Sequence, residues 1–148
     1  MNNTRRRKIY KEVEMMQSIA LIAEGYDEKY NGRVITEEEM AVIKEAFEEA
    51  TEILSDAIDT IDDLEMEERE CFENMPETLQ TSERGEAMEL AADNLESGRY
   101  SIEDAQSNVE SLLRELEDYD FENDLNVDFT CISDSIEEAI ETLEEAAE

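Results

Sequence analysis

Between Asp118 and Asp124 every second residue carries a carboxylate, in the run Asp118-Tyr-Asp120-Phe-Glu122-Asn-Asp124. Alternate carboxylates in a loop are what a calcium ion takes as ligands. The details depart from that chemistry. An EF-hand loop wants Gly at its sixth position and Glu at its twelfth, and counting from Asp118 those positions hold Asn123 and Phe129. No specific metal site is expected. Acids are so frequent in this chain that two neighbouring carboxylates indicate a solvated helix face before they indicate a general acid and base. There is no His, which removes the commonest general base and any Ser/His or Cys/His nucleophile pair. No G-x-x-x-x-G-K phosphate loop occurs. Cys71 and Cys131, far apart in the chain, form neither a disulfide framework nor a zinc set and read as packed thiols. We therefore expect no catalytic residue, no cofactor and no metal, and a protein that is not an enzyme.

What remains is the arrangement of the carboxylates themselves. From residue 37 to residue 73 there are 16 acids. On a continuous helix they would be spread over about 55 Å, roughly one per 3.5 Å, close to the spacing of phosphates along one DNA strand. Glu45, Glu49, Glu52, Asp56, Asp59 and Asp63 fall on one side of such a helix. Further on, Glu89, Glu96, Glu103, Glu110 and Glu117 recur every seven residues, one column with steps of about 10 Å. These two rows are the candidate partner-binding residues, read as imitations of a phosphate backbone.

The charge balance is consistent with that reading. The 44 acids and 12 bases give a formal net charge of −32. Residues 1–33 hold seven Lys or Arg and five acids, a net of +2, whereas residues 34–148 hold 39 acids and five bases, a net of −34. Such a surplus exceeds what solubility requires of a small domain. It would repel phosphate-bearing substrates, which argues against nucleotide enzymes and against direct binding of nucleic acid. The basic arm Arg5-Arg6-Arg7-Lys8, with Lys11, is expected to pair with acids of its own chain or of a symmetry mate in a homodimer. No run of about 18 apolar residues occurs, so no membrane contact is expected and the compartment is read as cytoplasmic.

The rows need rigid elements behind them, and the apolar residues supply these. Met40, Ile43, Phe47, Ala50, Leu54, Ala57, Ile61 and Leu64 alternate steps of three and four, as one helical face requires. Thr36 with Glu39 forms a capping box at the start, and the helix should stop near Asn74, before Pro76. With Met40 at heptad position a, every acid from Glu45 to Asp63 falls at b, c or f, and positions e and g hold Ala46, Ile53 and Ile58 among others. The buried face is thus wider than a two-stranded seam, which points to a bundle. The same alternation runs through Met88, Ala91, Leu95, Gly98, Ile102, Ala105, Val109, Leu112 and Leu116, with Ser82 as the expected cap. Gly98 followed by Ser101 would equally serve as a stop and a new cap. Residues 74–82 are short enough to make an antiparallel hairpin of the two, with Met75 and Leu79 covering its open end. A first helix over about residues 5–24 and a last one over about 133–147 should pack on it, and 118–131 should be loop. The expectation is a single all-α domain over 1–148: a long antiparallel hairpin of about 36–73 and 83–118 within a helical bundle, its basic to neutral part at 1–33 and its acidic body at 34–148.

The stretch Glu68-Arg-Glu-Cys-Phe72-Glu-Asn74-Met-Pro76-Glu-Thr-Leu79-Gln80-Thr-Ser82-Glu-Arg-Gly85-Glu86 resembles a segment of small uncharacterised acidic phage and prophage proteins of Gram-positive bacteria. The likeness extends to about Leu95; it implies a phage origin and a helical hairpin and carries no activity. In general character the chain is also similar to the antirestriction and anti-CRISPR proteins that imitate DNA with carboxylates. Together these imply a counter-defence inhibitor, acting in the host bacterial cell, that blocks the nucleic-acid groove of a positively charged nuclease or restriction complex. The alternative is a non-mimetic helical interaction or adaptor protein of a phage. A metal-dependent enzyme or a calcium binder ranks below both.

Overall fold

The computed structural model describes all 148 residues and contains only helices: α1 (Asn3–Tyr30), α2 (Glu37–Glu73), α3 (Glu77–Gln80), α4 (Glu83–Glu117) and α5 (Thr130–Ala147). The four long helices run up, down, up and down. α4 packs along both α2 and α5, and α1 packs mainly on α5, so that α1 and α2 form the most sparsely packed edge of the ring. Short connections force each consecutive pair to be antiparallel, as in bundles generally. The hairpin of α2 and α4 is the expected one. Its arms have 37 and 35 residues, or about 55 and 52 Å at 1.5 Å per residue.

Every residue of the alternating stripe from Met40 to Leu64 is buried, as are those from Ala91 to Leu116. They join Ile9, Val13, Met16, Ala20 and Ala23 of α1 and Ile132, Ile136, Ile140 and Leu143 of α5 in one core. α4 runs unbroken through Gly98. The reason is spatial: a Cβ built there would lie 2.6 Å from Leu143 Cδ2, so the glycine admits the close approach of α5.

The outer helices are longer than their stripes foretell. α1 continues past residue 24 to Tyr30 because Tyr26 and Tyr30 reach an aromatic cluster. In it Phe47 of α2 and Phe129 stack at 5.8 Å, and Tyr26 meets both edge-on at 6.0 and 6.4 Å. Tertiary burial overrides the weak helix preference of Gly25. α5 starts at Thr130 instead of residue 133, its first turn held by Asp128, whose carboxylate accepts from the Cys131 N–H at 3.1 Å and the Thr130 hydroxyl at 2.9 Å.

The connection between α2 and α4 is a hydrogen-bonded corner. α2 ends at Asn74 before Pro76, α3 makes a single turn, and Ser82 caps α4 by accepting from the Gly85 N–H at 3.3 Å. Gln80 donates its amide to the carbonyls of Phe72 and Met75, both at 3.1 Å, satisfying the exposed end of α2. Gly85 sits so close to the carbonyls of Leu79 and Gln80 that no side chain fits. The expected apolar lid is only partly present: Met75 is half-buried, whereas Leu79 is exposed. The corner is closed by backbone satisfaction more than by hydrophobic cover.

At the opposite end the α1–α2 and α4–α5 connections tie to each other. Asn31 donates to Val127 O at 2.7 Å and accepts from Val127 N at 3.0 Å. Gly32 N reaches Leu125 O, and Leu125 N reaches Arg33 O, each at 2.8 Å. Gly32 has φ +84°, the left-handed conformation that glycine tolerates best.

Candidate functional site

Glu45, Glu49, Glu52, Asp56, Asp59 and Asp63 are all exposed and line the side of α2 that faces away from the core stripe. None takes part in an ion pair or a side-chain hydrogen bond, although four arginines elsewhere pair with eight other acids. The six ridge acids from Glu45 to Asp63 span about 27 Å of axis, or roughly one per 5 Å. Successive carboxylates at three- and four-residue spacing repel one another by a few tenths of a kcal/mol per pair. The apolar stripe on the opposite side of the same helix holds them in line. Chemically the ridge is a rigid polyanion with no cationic side chain paired to it.

The α4 column is different. Glu89, Glu110 and Glu117 are exposed and unpaired, but Glu96 and Glu103 are only partly exposed and both are bound to arginine. Arg69 of α2 donates to Glu96 at 2.9 Å and to its own-helix neighbour Glu65 at 2.8 Å, and also approaches Asp93 at 3.3 Å. Arg99 of α4 pairs with Glu103 at 3.2 Å and approaches Glu65 at 3.5 Å and Asp62 at 3.6 Å. The seven-residue spacing predicts an uninterrupted row of free carboxylates; the structure instead neutralises its centre and uses it to clamp α2 to α4. Hydrogen bonding to Glu65 holds the Arg69 guanidinium charged. The column therefore offers two separate acidic ends, and the α2 ridge is the continuous surface.

Only part of the basic arm turns inward: Arg7, Lys8 and Lys11 are exposed and make no ion pair, whereas Arg5 and Arg6 are half-buried. Arg5 donates to Glu67 at 3.0 Å, Glu68 at 2.9 Å and Cys71 Sγ at 3.3 Å. Burial opposes the charge on Arg5, yet the bonds to Glu67, Cys71 and Glu68 outweigh it and raise its pKa. Arg6 donates to the carbonyls of Ala147 at 2.7 Å and Glu148 at 3.3 Å, satisfying the end of α5. Glu68 and Glu12 are buried acids, which an outward-only placement of carboxylates does not anticipate. The heptad count already contained the first of them, since Glu68 falls at position a, four heptads after Met40.

The acidic loop does not gather its side chains around a common point. Asp120 accepts from the Glu122 N–H at 3.0 Å and from the Asn123 amide at 3.2 Å, which makes it the organiser of a turn. No three His, Cys, Asp or Glu side chains converge as a metal ion requires. Cys71 and Cys131 are free and half-buried, and burial pushes the Cys131 thiol up. No helix is long and apolar enough to cross a membrane. No family model, curated protein or solved structure matches the chain. What the protein does must be argued from its own surface.

Proposed function

We propose that the protein is a counter-defence inhibitor of phage type, which occupies the nucleic-acid groove of a bacterial nuclease or restriction complex in the manner of an anti-CRISPR or antirestriction protein. The observation that carries this reading is the ridge of Glu45, Glu49, Glu52, Asp56, Asp59 and Asp63, exposed and free of any cationic partner. A groove built for phosphates draws much of its affinity from charge alone, without reading bases. A stiff rod with one unpaired carboxylate per about 5 Å presents a comparable line of fixed negative charge. Binding excludes the nucleic acid by competition and needs no chemistry.

Pull-down from a bacterial lysate at low and high salt identifies the partner and tests the force together. Capture is expected to weaken steeply with ionic strength, and the captured protein is expected to lose its nucleic acid as the inhibitor is added. Reversing one ridge acid should do little. Reversing Glu45, Glu49, Glu52 and Asp56 together to Lys should weaken inhibition and flatten its salt dependence; undiminished inhibition by that variant defeats the proposal.

A non-mimetic adaptor is the second reading, and one feature favours it. Ile22 is exposed at the rim of an apolar cleft between α1 and α2 that Ile19 and Ile53 also line. Apolar docking there would be nearly indifferent to salt.

A further inference from the structure

The α1–α2 edge is pinned at its two ends and open between them. Arg5 ties it to Glu67 and Glu68 at one end, and Tyr26 meets Phe47 at 6.0 Å at the other. Between these pins the helices leave a cavity of about 120 Å³, lined chiefly by Ile19, Ile22, Ala46, Ala50 and Ile53. Ligand sites usually enclose about 300–1,000 Å³. This one has room for a single apolar side chain. Ile22 is 37% exposed at its rim.

Charge then selects what can seat there. Glu49 lines the cavity and also belongs to the ridge, with Glu45, Glu52 and Asp56 beside it on the same helix side and all unpaired. A side chain entering the cavity brings its neighbours against these carboxylates, so the neighbours must be basic. A second copy of this chain meets the opposite condition, because two bodies of formal charge −32 repel each other. Toward the other end the edge stays acidic on balance: Lys8 and Lys11 of α1 flank a cleft shared with Glu12, Asp63 and Glu67. From Lys8 to Ile22 the edge is about 21 Å long.

We infer that the α1–α2 groove receives one apolar side chain from a basic amphipathic helix of the partner, whose Lys or Arg residues lie on the adjoining ridge. This rests on the reading of the ridge as the surface that meets a cationic protein, and it adds an anchor that phosphate mimicry alone does not provide. The mode is a helix laid in a groove, with a buried apolar residue at its centre and charge at its rim.

The test uses the full chain with isotope-labelled Ile methyl groups and two synthetic peptides of about 14 residues, the number that spans the edge as a helix. Both carry the same Lys residues; one has a Leu stripe and the other has Ser in its place. The Leu/Lys peptide is expected to shift the methyls of Ile19, Ile22 and Ile53 and to keep most of its affinity at 0.5 M salt, whereas the Ser/Lys peptide should lose roughly tenfold or more and leave those methyls unmoved. Ala46→Trp, at a half-buried rim position, should bring the Leu/Lys peptide down to the Ser/Lys level with an unchanged circular dichroism spectrum. Equal salt responses of the two peptides, or unshifted groove methyls, overturn the groove and leave the ridge standing. Failure of both peptides to bind at 0.15 M salt removes the ridge as well. Concentration-dependent shifts of the same methyls without peptide give the groove to a second copy and overturn the inference.

Discussion

Arg5, in the first turn of α1, donates at 2.9 Å to Glu68, a carboxylate with no solvent exposure near the end of α2. The two are 63 residues apart in sequence, and between them they close the end of the bundle where the apolar stripe of α2 gives out. A buried carboxylate is tolerated because its charge is met, and removing the partner leaves it uncompensated. Arg5→Leu should cost about 3–5 kcal/mol in urea unfolding. Arg5→Leu with Glu68→Leu should recover most of that loss, because replacing a buried ion pair with packed apolar groups is often neutral or stabilising. If the double variant is as unstable as the single one, the Arg5 contribution comes from packing or from Glu67, and not from relief of buried charge.

How far the fold can be read from the residues is clear at this same place. The alternation of threes and fours located α2, α4 and their caps, because a wide apolar face has few ways to be satisfied other than a bundle. It foretold exposure of the α2 ridge for the same reason. It did not foretell which acids would be neutralised. Glu68 sits at a core position of the heptad, but its partner comes from another helix, and nothing local to either residue specifies the pairing. Arg69 and Arg99 were legible only as rare bases in an acidic stretch; that they bind Glu65, Glu96 and Glu103 depends on the register between α2 and α4. The extension of α1 to Tyr30 likewise follows from an aromatic cluster assembled by three separate segments.

Gly98 and Leu143 offer a test of that register. Replacing Gly98 by Ala should gain about 1 kcal/mol of helix propensity, yet the added methyl would stand 2.6 Å from Leu143 Cδ2 and 3.0 Å from Leu143 Cγ. Leu143 is fully buried and has little room to yield. Overpacking of this kind costs about 1–3 kcal/mol, so Gly98→Ala alone should destabilise modestly. In a Leu143→Ala background the obstruction is gone, and the same substitution should stabilise by about 1 kcal/mol. Denaturant midpoints of the four variants decide it; an unchanged sign in the two backgrounds contradicts the close approach.

Acid should strengthen this fold before it weakens it. Burial raises the pKa of Glu12, and a hydrogen bond with Glu24 raises that of Glu137. For both, the fold favours the protonated form. Their contribution is complete below the ordinary glutamate value of 4.5 and is lost as the pH rises through the raised values. Glu39 is opposite: its bond to Arg33 lowers it to about 2, so its contribution is present above 4.5 and is lost as the pH falls through about 2. Melting temperature should therefore climb from pH 7 toward 4.5, near the chain's isoelectric point of 4.1, and decline below it. Glu12→Gln should flatten part of the climb. A maximum at neutral pH in dilute thermal melts contradicts these assignments.

Salt acts on two opposed terms, and their relative size fixes the sign of its effect. Screening weakens the pairs made by Arg5, Arg33, Arg69 and Arg99, which involve eight carboxylates. It also weakens repulsion among all 44 acids, most of which have no cation within reach. Exposed pairs are worth about 0–1 kcal/mol each, and the pairs with Glu65 and Glu68 are the least screened because those two side chains are the most buried. Repulsion along the ridge is fully exposed to added ions, and neighbouring ridge residues, whose Cβ atoms lie about 5–6 Å apart, repel by a few tenths of a kcal/mol per pair until the Debye length shrinks to that scale, at several tenths molar salt. Relief of repulsion should win. The melting temperature should rise by several degrees between about 20 mM and 0.5 M sodium chloride, since 1 kcal/mol corresponds to roughly 2–4 °C in a domain of this size. Reversal of Glu45, Glu49, Glu52 and Asp56 to Lys should raise the low-salt melting temperature and shrink the rise. A melting temperature that stays level or falls with salt would mean that the arginine clamps outweigh the repulsion of the ridge.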